Sequence, residues 1–189
     1  MRILVLALAL LLPSWARAGN QAPLEKPIKT FVNAVRYGKD SIALKQVDGP
    51  AQAQLLLGDA WSKATPAQQK EFIALFHVIF SAAAFPRLRE NLQKVEAIGY
   101  GAASLKGDRA ELTSTLVIQH PLKKEELKVR YVLSKNSSGW QLVDVTLGPD
   151  QSLLTTVRED QVAPLYAKGG WEGLLSALRT RVEELKKKS

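Results

Sequence analysis

The sequence predicts an α+β fold, a curved antiparallel sheet of about four strands with N- and C-terminal helices packed on it and enclosing an apolar pocket. Three observations lead there. Phe72, Leu75, Phe76, Ile79 and Phe80 recur at i, i+3, i+4, i+7 and i+8, the spacing of one buried helical face. From about Gln93 the apolar period shortens to two, with turn signals between the runs. After Ser152 the helical period returns. A sheet that curls around helices leaves room for a cavity between the layers. The phenylalanines of the helical face either line that cavity or fill a core.

The N-terminus reads as a secretory signal peptide over residues 1–18. Arg2 supplies the positive region, residues 3–12 the apolar one, and Ala16-Arg17-Ala18 a small-x-small cleavage site before Gly19. The apolar run is short for a membrane span, which disfavours an uncleaved anchor. No second run of spanning length is evident, so the mature protein is expected to be soluble. Cleavage would leave residues 19–189 as one domain and, by removing Arg2 and Arg17, lower the formal charge from +8 to +6. The chain has no cysteine, so disulfides, thiolate nucleophiles and cysteine metal sites are excluded. An exported chain held by packing alone fits a bacterial periplasm. The positive surplus suits an anionic surface or an acidic partner, and export argues against nucleic acid.

Along the mature chain, residues 19–27, with Pro23 and Pro27, read as a loose lead-in. Ile28, Phe31, Val32 and Val35 mark a first amphipathic helix that stops near Gly38. Asp48-Gly49-Pro50 is a turn signal before a second helical stretch over residues 52–61. Thr65-Pro66-Ala67-Gln68 then starts a helix, because Thr65 can cap, Pro66 loses no donor at the first position, and Gln68 can close a capping box. Pro86 is expected to break or bend that helix.

Residues 95–105 form a first strand, and Lys106-Gly107-Asp108 the turn after it. Ala110, Leu112, Ser114, Leu116 and Ile118 alternate with Arg109, Glu111, Thr113 and Thr115 in a second strand. Leu127, Val129, Tyr131 and Leu133 make a third, Asn136-Ser137-Ser138-Gly139 a hairpin turn, and residues 140–147 a fourth. Residues 152–166 are helical. After a break at Gly169-Gly170, Trp171, Leu174, Leu175, Leu178, Val182 and Leu185 continue the helical period, with Lys186 to Lys188 at the end that favours cations.

Catalytic signatures are sparse. His77 and His120 lie in different elements without zinc-ligand spacing, so no metal site is expected. His77 reads as a boundary residue of its helix, and His120, before Pro121, as a turn residue. No G-x-S-x-G elbow is present. Gly99-Tyr100-Gly101 reads as a bulge or bend rather than a phosphate cradle. Asp144 sits in an apolar strand and Arg158 in the helix that follows. They are either a polar anchor for a headgroup or a structural ion pair, and the ion pair, or simple exposure of Asp144, is the favoured reading. Basic residues gather at Arg87 and Arg89, at Lys123, Lys124, Lys128 and Arg130, and at Arg179, Arg181 and Lys186 to Lys188. A solvated face explains such runs as well as docking on an anionic membrane does.

Leu57-Gly58, Trp61, Ala64-Thr65, Gln68, Phe72 and Phe76, in that order, resemble the helix motif of the MlaC family, the toluene-tolerance auxiliary proteins. The second half agrees in order through Val129, Tyr131, Trp140, Asp144-Val145, Gly148, Ser152-Leu153, Arg158, Gly169 or Gly170, Leu174-Leu175 and Leu178. The chain departs from the pattern at Phe85-Pro86, at the longer Pro149-Asp150-Gln151 loop, and at Val162, where an aromatic is usual. The resemblance implies a periplasmic phospholipid carrier without catalytic residues or cofactor, its cargo's acyl chains in a pocket between sheet and helices. It further implies an inner-membrane complex of an MCE-domain protein with an ABC transporter, an outer-membrane lipoprotein complex, and transient membrane contact. Relatives associated with hopanoid lipids share the architecture.

On that basis the lipid-contacting residues are expected to be Trp61, Phe72, Phe76, Ile79 and Phe80 from the helices, with Leu116, Tyr131, Leu133, Val143 and Leu153 from the sheet side and the helix after it. Tyr131 would place its hydroxyl near the pocket mouth. Two other classes remain open. A small-molecule-binding or enzymatic cone-shaped α+β domain would need converging polar groups in the cavity. An envelope scaffold would have a filled core and no lipid.

Overall fold

The structure, a computed structural model, describes residues 21–119, 123–148 and 152–187. The expected signal peptide, His120 and Lys188 lie outside them. Helix α1 (Ala22–Arg36) opens the described chain and buries Leu24, Ile28, Val32 and Val35 along one side. It begins earlier than expected. Pro23 occupies the first turn, where a missing N–H costs nothing, so the prolines read as a loose lead-in belong to the helix.

Short α2 (Asp40–Leu44) is followed by α3 (Gly49–Leu57). Asp48-Gly49-Pro50 is the start of α3 rather than a turn that precedes it: the Asp48 carboxylate accepts from the Ala51 N–H at 3.0 Å, and Pro50 lies in the first turn. Gly58, at φ 54° and ψ −128°, separates α3 from α4 (Asp59–Ser62), a backbone conformation that suits glycine alone. The stretch expected as one helix is therefore two.

Helix α5 (Pro66–Gln93) starts with the expected capping box. The Gln68 N–H donates to Thr65 Oγ1 at 3.3 Å, and the Thr65 N–H to Gln68 Oε1 at 2.9 Å. It does not break at Pro86. Pro86 and Ala82, whose carbonyl Pro86 cannot pair, are both exposed, so water can take the lost bond. Phe85 and Leu92 anchor the last turns in the core. By length and composition α5 is also apolar enough to cross a membrane, against the expectation of no second such run.

Strands β1 (Val95–Lys106), β2 (Arg109–Gln119), β3 (Lys124–Asn136) and β4 (Gly139–Leu147) form one antiparallel meander in the order β1-β2-β3-β4. The β1–β2 and β3–β4 turns fall where the sequence places them. Two of its irregularities help the sheet curl. One lies in β1 between Tyr100 and Ala103, as Gly99-Tyr100-Gly101 foretold, and the other places Val143 as an extra residue in β4. The free edge of β4 is covered by a short parallel bridge, Val47 to Leu142.

Helix α6 (Leu153–Val157) is capped by Ser152, whose Oγ accepts from the Thr155 N–H at 2.9 Å. A π-helical turn, Arg158–Val162, joins it to α7 (Ala163–Lys186), which kinks at Gly170 where the backbone turns to φ 57°. The core has two parts. One lies between α1, the second half of α5 and the inner face of the sheet, and the other among α3, α4, the first half of α5, α6 and α7.

Candidate apolar binding site

Helix α5 runs through both parts of the core. Phe72, Phe76 and Phe80 recur every four residues and stack along it, Phe72 on Phe76 at 5.8 Å between centroids and Phe76 on Phe80 at 5.7 Å. Phe80 meets Phe85 edge-on at 6.0 Å, and Phe85 meets Phe31 of α1 edge-on at 5.7 Å. At the other end Phe72 packs against Trp61 at 6.4 Å and Trp171 at 6.0 Å, and Trp171 continues to Tyr166. All five phenylalanines of the chain therefore belong to one file of rings linking the helical cluster to the sheet cluster. Such contacts contribute about 0.5–1.5 kcal/mol each beyond burial. Trp171 is also tied to α4, its Nε1–H donating to the Ala60 carbonyl at 3.3 Å.

The ten expected contact residues divide between the two clusters. Trp61, Phe72 and Phe76 are buried in the helical one, with Ile79 partly buried against it. Leu116, Tyr131 and Leu133 are buried on the inner face of the sheet. Phe80 alone packs against both. Val143 is fully buried at the β4 bulge, where its carbonyl accepts from Gln52 Nε2 at 3.0 Å; Leu142 takes the inward place opposite Leu133. Leu153 stands 42% exposed, and Leu154 takes the buried place in the helical cluster. Both displacements are of one residue, the first from the bulge and the second from helical phase.

Phe72, Phe76 and Phe80 of α5 and Leu116, Tyr131 and Leu133 of the sheet all pack into the region between sheet and helices. Of two surface depressions, one of about 320 Å³ lies by the β1–β2 turn near Ser104, Lys106 and Arg109, and one of about 390 Å³ lies over α7 near Leu165, Gly173 and Ala177. Neither is lined by any of the ten residues.

Polar groups inside are few. On the inner face of the sheet the hydroxyls of Ser114 and Tyr131 share a hydrogen bond of 3.0 Å. The Tyr100 hydroxyl beside them is buried without a partner. Burial, reinforced by Tyr131 and Glu25, pushes the Tyr100 phenol far above its ordinary range, and burial raises that of Tyr131 as well. Both keep their protons.

On the helical side, Gln52 Nε2 donates to Val143 O, so its Oε1 accepts from His77 Nε2–H at 3.1 Å. His77 thus joins α5 to α3 and the β4 bulge. Burial lowers its pKa from the ordinary 6.5, and it is held neutral. Among the described residues no group of three His, Asp or Glu side chains is placed to hold a metal.

The Asp144–Arg158 pairing is not formed. Asp144 Oδ1 accepts from the Val145 N–H at 2.8 Å and the Leu154 N–H at 3.1 Å, fixing the start of α6, while Arg158 lies exposed beside Gly58. Several cations expected to form a basic surface are engaged internally. Arg89 bonds the Val35 carbonyl at 2.9 Å and Asp40 at 2.6 Å, and Arg179 bonds Glu71 through two nitrogens at 2.6 and 2.9 Å.

The sequence profile of the MlaC protein matches residues 28–180. The chain belongs to the MlaC family. The match runs from within α1 to within α7. Among solved structures, a phospholipid-binding protein from Ralstonia solanacearum, in complex with a phospholipid, is similar in fold, with a TM-score of 0.68 at 20% identity over 88% of this chain and 98% of that one. A protein of the NTF2-like family from Streptomyces avermitilis has a TM-score of 0.39 at 16% identity, over 68% of this chain and 94% of that one. No curated protein matches.

Within this MlaC-family chain, the expected contact set left out Phe31, Phe85, Trp171, Tyr100 and Ser114, although Phe31 and Trp171 stood on the apolar faces of their helices. Ser114 carried a signal, since it alternates in phase with Ala110, Leu112 and Leu116. Phe31 and Phe85 are brought together only by the packing of α1 on α5.

Proposed function

We propose that this protein is a periplasmic carrier that holds a phospholipid by its acyl chains between sheet and helices. It would exchange that lipid with an inner-membrane complex of an MCE-domain protein and an ABC transporter, and with an outer-membrane lipoprotein complex. The observation that carries the reading is the shared fold. Nearly the whole of a phospholipid-binding protein, itself in complex with a phospholipid, is matched by 88% of this chain. The apolar inner face of the sheet, the file of phenylalanines along α5 and an N-terminal sequence that reads as an export signal support it. An acyl chain gains about 0.8 kcal/mol per methylene on leaving water. Binding therefore needs no catalytic group, and the reading is of a binding protein rather than an enzyme.

The test is to purify residues 19–189 and analyse an organic extract by lipid mass spectrometry. Stoichiometric phospholipid supports the reading, and hopanoid in its place would keep the carrier but change the cargo. A protein that is lipid-free and takes nothing from labelled vesicles overturns it.

A further inference from the structure

We propose that Tyr100, Tyr131 and Ser114 form a subsite for the ester carbonyl oxygens of an acyl-glycerol ligand, on the inner face of the sheet beneath α1. The inference rests on the carrier reading and names the part of the lipid that the sheet recognises. Tyr100 pairs directly across the strands with Ser114, and Tyr131 lies on the same face of the next strand, bonded to Ser114 at 3.0 Å. The three hydroxyls thus form one group across three strands, within an otherwise apolar surface of Leu112, Leu116, Val129 and Leu133. In the Ser114–Tyr131 bond one hydroxyl donates, which leaves the acceptor's own proton unused. The Tyr100 hydroxyl is buried with no partner at all. Two O–H donors therefore face the interior without acceptors.

A buried donor left unpaired is costly. Phenylalanine and alanine would serve a plain core better. Burial keeps both phenols protonated, so the group donates and does not act as an anion. The matching ligand group is a neutral acceptor. Lys29, a cation over the Tyr100 ring at 5.1 Å, is half exposed and is bonded to Glu25 at 2.7 Å. Lys29 is therefore not a free buried cation for a phosphate, and the uncharged donors point to the carbonyls between headgroup and acyl chains. Position agrees. Helix α1 comes closest to α2, α5 and β4, and meets β1 through the Gln21 side chain at the Ala103 N–H and through Lys29 at Tyr100. Tyr100, through its contact with Lys29, lies at this seam between α1 and the edge strand.

The test offers the full mature chain an equimolar mixture of dioleoyl phosphatidylglycerol and its diether analogue, alike in chains and headgroup but without carbonyls. Bound lipid is counted by mass spectrometry. The native chain should retain the ester form about tenfold over the ether form, the discrimination of one well-made hydrogen bond. Tyr100→Phe should cut that preference at least threefold. It should not lower the urea midpoint, because it removes a hydroxyl that bonds nothing in the protein. Ser114→Ala should weaken the preference as well. Equal retention of both lipids by the native chain, or an undiminished preference in Tyr100→Phe, overturns the subsite alone. Failure to bind either lipid overturns the carrier reading and the subsite with it.

Discussion

Replacing Asp48 by alanine should cost about 3 kcal/mol, more than any charge on the surface of this chain would. Asp48 is 6% exposed and does two jobs. Oδ1 caps α3 through the Ala51 N–H at 3.0 Å, and Oδ2 accepts from Ser134 Oγ and from Asn136 Nδ2 at 3.1 Å, which ties α3 to the β3–β4 hairpin. Loss of the cap costs about 1 kcal/mol. The Ser134 hydroxyl, itself buried, would be left without an acceptor, for about 2 kcal/mol more. Asn136 adds little, because it keeps Gln141 Oε1 at 2.6 Å. Asp48→Asn retains the cap and the shape and should cost about 1 kcal/mol. In the Asp48→Ala background, Ser134→Ala should recover part of the loss by removing the orphaned hydroxyl. Urea unfolding followed by tryptophan fluorescence at pH 7 measures the native chain, the three single variants and the double variant. A cost below 1 kcal/mol for Asp48→Ala, or strict additivity with Ser134→Ala, would refute the reasoning.

Phe72 is fully buried at the junction of the ring file with Trp61 and Trp171, so Phe72→Ala should cost about 3–5 kcal/mol. Phe80→Ala, at a half-buried position, should cost about 1–2 kcal/mol by the same unfolding measurement, and equal losses would contradict the burial assigned here. Stability should also fall as pH drops below about 6.5. Burial lowers the folded-state pKa of His77, so the unfolded chain takes up the proton first and the stabilisation present above that range is lost on acidification. Glu71, its pKa lowered mainly by the hydrogen bond from Arg179, acts only below the ordinary carboxylate value of 4.5. His77→Gln should therefore flatten the urea midpoint between pH 5 and 7.5, and an unchanged slope would assign the effect elsewhere.

Local signals with a single physical meaning were legible in the sequence. The capping box at Thr65 and Gln68 satisfies orphan donors whatever surrounds it, and the alternation in β2 places Ala110, Leu112, Ser114 and Leu116 on one face. Signals with two meanings were decided by distant neighbours. Asp48-Gly49-Pro50 suits a turn or a helix start, and Leu142 settles the matter by accepting from the Asp48 N–H. Pro86 breaks a helix unless the bond it removes faces water, as here. The site was legible in its materials rather than its arrangement. Spacing announces that Phe72, Phe76 and Phe80 share a face, but only the packing of α1 and α7 shows that the face serves two clusters. Parity failed at Val143 because a bulge adds one residue, a local event without a distinctive sequence mark.

The continuous file of rings between the two clusters bears on how a carrier of this build would load. A chain of roughly sixteen carbons gains on the order of 12 kcal/mol on leaving water, yet almost nothing on leaving a bilayer, which is equally apolar. Phe80 stands where the two clusters meet, stacked on Phe76 but meeting Phe85 edge-on, so the file of rings changes packing there. Parting the file at that point breaks one edge-to-face contact of about 1 kcal/mol and exposes apolar surface on both sides. The acyl chain refills that space but brings no surplus from the membrane. The opening cost must then be offset by polar contacts that the bilayer does not provide, or by docking on a partner that favours the open state. The unpaired Tyr100 hydroxyl is such a contact, since a carbonyl removes a penalty already present in the empty protein. On this argument loading from pure vesicles is slow for Tyr100→Phe and for the native chain alike, and a membrane partner accelerates both, while the amount of ester lipid held at equilibrium separates them.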